Sequence, residues 1–290
     1  MSKMTDSAKL VSRFESALRC PHCENPMKVA GLKSLVCPNN HTFDFTKQGY
    51  VNLLPRPSAG NYKKELFEAR HKIVVETGLY ASMHKTVGKA IKEYADAGNP
   101  CLVADLGCGE GSHLYKILDE CDNPEVTGVG LDISKEGIIM ASKRYDRSIW
   151  FVGDLAKSPF ADQSFPIVLN IFAPSNYKEF KRMLVRDGLA IKVVPGPDYL
   201  RELREALYDD DEKRAYTNED TVSLFKTHFH MQHLFHLNDT KKLNQAERQQ
   251  LVQMTPLAWS RDQARIDAYL DRDVSEITID LHILVGKYTE

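Results

Sequence analysis

The 290-residue chain lacks any apolar run near the roughly 18 residues that a membrane span needs, which excludes a spanning-helix protein. Its opening residues mix polar and apolar side chains, so no secretory signal is expected and a cytoplasmic location is. Six cysteines are too few for a disulfide scaffold of this size, and their spacing matters more than their number. Strong charge of either sign is also missing: the net value is −2, which argues against a generic polyanion binder. What is present is ordinary globular composition, 42% hydrophobic and 27% charged, long enough for two domains.

The charge is unevenly placed. Residues 1–72 hold 12 Lys and Arg against 6 Asp and Glu, a balance of +6, which leaves −8 for the rest. A basic first quarter on an acidic body suggests that the two parts have different partners, the first a nucleic acid. Lys63, Lys64, Arg70, His71 and Lys72 fall on an expected helix whose plainest role is a solvated face.

Within that quarter, Cys20-Pro-His-Cys23 and Cys37-Pro-Asn-Asn-His41 pair soft ligands at C-x2-C and C-x3-H spacing. Two such knuckles complete the closed tetrahedral shell of structural zinc, whereas a redox C-x2-C would leave the second pair unexplained. His22, between the first two cysteines, is expected to point away. The intervening Met27–Val36 reads as a hairpin turning near Gly31. Pro55 to Gly60 is the natural linker.

Cys101–Leu106 is a short apolar run followed by Gly107-Cys-Gly-Glu-Gly111 and a helical stretch over 112–121, the opening of a nucleotide-binding βαβ unit. The glycines allow close backbone approach, and Cys108 is expected to offer only its backbone. The next strand ends at Asp132, placed to take ribose hydroxyls. Ser112 stands where a nicotinamide fingerprint needs its third glycine. Asp105, ahead of the loop, suits a ligand with a free ammonium, such as the methionyl part of S-adenosylmethionine. Asp154, after the third strand, is placed to meet an adenine amino group. Further strands are expected at 165–172 and 189–194, with an alternating late strand at 277–285 inserted near the sheet edge. Cys101 and Cys121 read as buried apolar residues, and 209–212 as a solvated acidic loop.

Taken together, CPHC…CPNNH, KQGYVNLLP (47–55), DLGCGEG, LDISK (131–135), IFAP (171–174), PGP (195–197) and QMTPLAW (253–259) resemble the RlmA family of 23S ribosomal RNA (guanine-N1) methyltransferases. The resemblance runs from about Cys20 to the C-terminus and leaves residues 1–19 outside. It implies an α/β chain with a Rossmann-like class I S-adenosylmethionine-dependent methyltransferase domain and a small zinc-ribbon-like module. The expected divisions are an N-terminal extension (1–19), the zinc-binding module (20–54), a linker and basic helix (55–80), and the methyltransferase domain (81–290). The resemblance also implies a homodimer, a 23S RNA hairpin as partner, and no membrane. Carried onto this chain, it makes Cys20, Cys23, Cys37 and His41 the Zn2+ ligands. It gives Tyr80, Asp105, Gly107, Cys108, Gly109, Gly111, Asp132, Asp154 and Tyr199 to the cofactor, Tyr199 standing where relatives carry His.

Guanine N1 must lose a proton, and no His, Asp or Glu is marked as the base. Asn170 is a candidate to orient the guanine edge, and Phe172, Pro174 and Trp259 are candidates to hold an extruded base. Two other functions fit the residues less well: a class I methyltransferase of a small molecule with a merely structural or dimerising zinc module, and a zinc-ribbon RNA binder with a lapsed methyltransferase domain.

Overall fold

The computed structural model describes residues 2–55, 63–95, 98–208, 216–259, 261–272 and 275–289. The expected linker after Pro55 and the acidic loop at 209–212 therefore lie outside the described residues.

Continuous apolar runs set the centre of an eight-stranded sheet. Strand β5 (Cys101–Leu106) is buried along its whole length, as a parallel strand covered on both faces must be. Around it stand β6 (Val126–Asp132), β7 (Ser148–Val152), β8 (Phe165–Ile171) and β9 (Leu184–Pro195). The late alternating segment is β11 (Ser275–Lys287), antiparallel both to β9 and to β10 (His230–Leu243). Strand order is β10-β11-β9-β8-β5-β6-β7-β4, where β4 (Val51–Asn52) comes from the basic quarter and pairs parallel with β7.

Period-two alternation assigns each face of β11. Ile277, Ile279, Leu281, Ile283 and Val285 enter one core, and Leu284 enters the other. The late strand lies inside the sheet, and the edge belongs to β10, which the sequence pattern does not reveal. Most of its side chains are exposed, so no alternation signals a strand.

Helices α4 (Ser112–Cys121) and α5 (Lys135–Arg144) follow β5 and β6, while α6 (Tyr177–Met183) and α7 (Arg201–Leu207) follow β8 and β9. Ser134 caps α5 by accepting from the Gly137 N–H. Trp150 occupies the space beside Gly111 and Gly130, where any Cβ would strike its ring. The basic helix α2 (Lys64–His71) runs into a π turn (Lys72–Glu76), and α3 (Ala81–Tyr94) begins at Tyr80.

Ahead of these, β1 (Lys28–Ala30), β2 (Ser34–Val36) and β3 (Thr42–Asp44) form a small antiparallel sheet, with Gly31 in the left-handed region at the turn. Residues 3–12 are helix α1, which buries Ala8 and Val11. Lys3 pairs with Asp146 at 2.5 Å and donates to the Lys143 carbonyl at 2.7 Å. Leu18 bridges to Phe160, so the segment before Cys20 is packed onto the body. Among the described residues no helix is long and apolar enough to cross a membrane.

Candidate metal and cofactor sites

The two knuckles converge. Cys20 Sγ and His41 Nδ1 are 3.4 Å apart, Cys37 Sγ and His41 Nδ1 3.5 Å, and Cys23 Sγ and Cys37 Sγ 3.6 Å. A tetrahedral zinc ion spaces sulfur and nitrogen ligands roughly 3.5–3.8 Å apart, and these three spacings, with all four donor atoms within 4.8 Å of one another, fit one. The Asn25 side chain donates to Cys23 Sγ at 3.4 Å. With the Asn25 backbone N–H as the main cause, the Cys23 thiol falls to about 6, favouring the thiolate that a metal needs. His22 stays outside the shell and stacks on Phe43, in keeping with its place between the cysteines.

The glycine loop sits where β5 ends. Gly107, Gly109 and Gly111 all have positive φ, and a Cβ at Gly107 would approach Ala173 to 2.6 Å. Asp132 turns one carboxylate oxygen to the Gly109 N–H (2.8 Å) and the other to the Ser134 N–H (2.7 Å). It thereby ties the glycine loop to the end of β6. Asp154 caps the turn after β7 through the Ala156 N–H at 2.8 Å, one strand further along. Cys108 is buried with its sulfur against Gly130, leaving its backbone on the loop.

Asp105 is 1% exposed, and its Oδ1 has no hydrogen-bond partner. Burial raises its carboxyl to about 7. An orphaned acid beside a glycine cradle fits a ligand bearing a buried cation, and the ammonium of S-adenosylmethionine meets that requirement. Arg70 lies against the same loop, its Nε 3.4 Å from Glu110 Oε2. The expected solvated face of α2 therefore needs correction: Arg70 turns inward, and His71 bonds Tyr145 Oη at 2.9 Å. Lys63, Lys64 and Lys72 remain exposed.

An aromatic cluster lies next to the loop, since Ala173, which abuts Gly107, follows Phe172. Tyr80 is buried and its hydroxyl meets that of Tyr199 at 2.7 Å. Phe172 stacks on Tyr199 with ring centres 5.7 Å apart and also touches Tyr80 and His113. Phe172 holds a φ of 52°, a conformation that costs a non-glycine residue energy and recurs at ligand sites.

Phe172 also lines a cavity of about 440 Å³, together with Ala173, Pro174, Tyr177, Lys192 and Thr221. Phe172 and Pro174 both line this cavity. Trp259 does not line this cavity; it is 40% exposed after the short turn Pro256–Ala258. Asn170 is fully buried, donating to the Leu106 and Pro174 carbonyls and accepting from Ser175 and Lys192. Its amide has no group left for a guanine, which corrects that assignment and leaves it a strand-end brace. Lys192 is unmarked in the sequence because one Lys within an apolar strand carries no spacing signal.

A second group of potential metal donors, His236, Asp280 and His282, lies on β10 and β11. Asn218 Nδ2 donates both to the Pro195 carbonyl and to His282 Nδ1, which commits that imidazole to an internal hydrogen bond. His236 meets Asp280 at 2.5 Å.

Comparison with known proteins agrees with this layout. Residues 18–58 match the RlmA N-terminal zinc-ribbon family model, and residues 103–188 match the methyltransferase domain model. The chain is 41% identical over 273 residues to a Bacillus subtilis protein named "Putative 23S rRNA (guanine-N(1)-)-methyltransferase YxjB", covering 93% of this chain and 97% of that one. It is 33% identical over 251 residues to the 23S rRNA (guanine(748)-N(1))-methyltransferase of Streptomyces fradiae, covering 84% and 86%. Among solved structures, the YcgJ protein of Bacillus subtilis aligns with a TM-score of 0.45 at 17% identity, covering 71% of this chain and 99% of that one. With a zinc-ribbon match at one end and relatives aligned along nearly its whole length, the chain belongs to the RlmA family of 23S rRNA (guanine-N1)-methyltransferases.

Proposed function

We propose that this protein transfers the methyl group of S-adenosylmethionine to N1 of a guanine in a 23S rRNA hairpin. The observation that carries this reading is the union, in one family member, of a Cys3His ribbon and an acid-lined glycine loop hydrogen-bonded to the same sheet. The ribbon, taken as residues 20–54, supplies a rigid platform once zinc closes it. Exposed Lys28, Lys33, Lys47, Lys63, Lys64 and Lys72 give the first quarter of the chain a surface for phosphates. On this reading the protein works in the cytoplasm as a homodimer.

S-adenosylmethionine, when bound, supplies a methyl on a sulfonium. The residues of this chain then do the positioning. Asp105 takes the ammonium, Asp132 the ribose and Asp154 the adenine edge, while Tyr80, Phe172 and Tyr199 exclude water. Most of the rate enhancement comes from holding guanine N1 in line with the methyl. A paired guanine must first leave its stack, at about a few kcal/mol, and the cavity beside Phe172 and Pro174 receives it.

The test is to incubate zinc-loaded protein with tritiated S-adenosylmethionine and unmodified 23S RNA, then map the product. Label in a single N1-methylguanine within a hairpin is expected. No label in RNA, with cofactor binding intact, would overturn the reading in favour of a small-molecule acceptor.

A further inference from the structure

The reaction requires a proton acceptor at guanine N1, and the aspartates of the crevice are engaged with the cofactor on the reading above. We propose that Lys192 is that acceptor, a neutral amine that takes the N1 proton as the methyl is transferred. This deepens the proposed reaction and rests on it.

Three observations converge on this side chain. Lys192 projects from β9 and is 5% exposed, yet it lines the cavity that Phe172 and Pro174 enclose. Its Nζ donates to Asn170 Oδ1 at 2.6 Å and to the Ala173 carbonyl at 3.2 Å. Ala173 is the residue that abuts Gly107, so the amine stands one residue from the cofactor loop. A neutral amine has two N–H groups and one lone pair. When both N–H groups serve these two carbonyls, the lone pair is what remains for the cavity.

The surroundings favour the neutral form. No carboxylate among the described residues lies within ion-pair distance of Nζ, and burial lowers the amine to about 8. Among the described residues, the other titratable side chain on the cavity wall is Tyr177, from α6, whose hydroxyl is raised by its own burial. Glu179 of α6 is held by Arg182 and Ser158. Helix α8 (Glu219–His228) contributes Thr221 and Leu224 to the wall and sets His228 against Tyr177. From β11, Leu284 pairs with Lys192, and His282, two residues away, is bonded to Asn218.

The step balances without a further reactant. The guanine N1–H bond breaks and its proton goes to the Lys192 lone pair. The N1 electron pair forms the bond to the methyl carbon, and the pair of the broken S–CH3 bond stays on sulfur. Neutral guanine, sulfonium and amine become N1-methylguanine, thioether and ammonium.

The experiment measures single-turnover methylation of the RNA hairpin from pH 6 to 9.5 for the wild type, Lys192→Met and Lys192→Arg, with calorimetric cofactor affinity for each. The wild-type rate is expected to rise with pH and level off above about 8. Both variants are expected to lose at least about 100-fold, and with it that inflection, while cofactor affinity stays within about threefold. Arginine keeps the charge and the hydrogen bonds but cannot accept a proton. Activity in Lys192→Arg within tenfold of wild type would overturn the proposal and leave Lys192 a cationic brace. An unchanged pH profile in Lys192→Met would make its role purely structural. Should neither variant fold, a flat wild-type profile from pH 7 to 9 overturns the proposal by itself. A wild type that makes no N1-methylguanine removes the reaction assignment first, which separates the two failures.

Discussion

The hydroxyls of Tyr80 and Tyr199 meet at 2.7 Å although 119 residues separate them in the chain. One precedes α3 and the other follows the Pro195-Gly-Pro197 turn, so the bond ties together two segments far apart in the chain. Burial raises the Tyr80 hydroxyl to about 12, so it stays protonated and hydrogen-bonding at any working pH. Tyr199→Phe leaves the Tyr80 hydroxyl buried without its partner, and a loss of about 1–3 kcal/mol in unfolding free energy is expected. The double variant Tyr80→Phe/Tyr199→Phe should recover much of that loss. A denaturant-unfolding cycle measures it, and strict additivity would show that the two hydroxyls are not coupled.

Asp105 predicts a pH dependence with a defined sign. Burial lifts its carboxyl from 3.8 to about 7, so the native cofactor-free protein holds a proton that the unfolded chain has lost. This contribution to stability is fully present below pH 3.8 and is lost as pH rises through about 7. An ammonium ligand needs the ionised acid. Affinity for S-adenosylmethionine should therefore weaken by up to about tenfold per pH unit below 7 and level off above it. Asp105→Asn should bind more weakly and flatten the dependence; titration calorimetry from pH 5.5 to 8.5 decides.

Zinc removal should unfold the ribbon locally. Strands β1 to β3 are three residues each, too short to hold a core unaided. Cys37→Ser is expected to abolish stoichiometric zinc by elemental analysis and to expose the amides of residues 28–44 to hydrogen exchange. Retained protection in a metal-free protein would contradict a structural zinc.

Lys63 and Lys64 stand exposed at the start of α2, and Lys64 pairs with Glu68 at 2.9 Å on the same helix face. Replacing both with Gln should weaken hairpin binding and reduce the salt slope by up to about 0.9 for each phosphate no longer neutralised. Filter binding between 50 and 300 mM salt would show it; an unchanged slope removes these residues from the RNA surface.

How much of this was legible in the sequence follows from the physics of each element. The centre of the sheet was readable because buried parallel strands are continuous apolar runs and the glycine loop needs residues of one kind. The zinc ligands were readable because a metal imposes spacing. Strand β10 was hidden because an edge strand facing water needs no alternation. Arg70 is hidden because a cluster of basic residues on one helix does not reveal which cation turns inward, toward Glu110. The surroundings of Asn170 and Lys192 are hidden for a similar reason. Only the fold shows that the amide is spent on backbone carbonyls and that the amine behind it reaches the cavity.

Strand β4 carries one more consequence. The chain leaving the ribbon lies along β7, and the Leu53 N–H donates to the Val152 carbonyl at 2.8 Å, two residues before Asp154. A tilt of the ribbon on meeting an RNA would therefore pull on the strand that leads to Asp154, the residue proposed above to meet the adenine. On the proposed reading, a load on the ribbon would be felt at the end of β7, and by reciprocity a bound nucleoside would stiffen the platform that meets the hairpin.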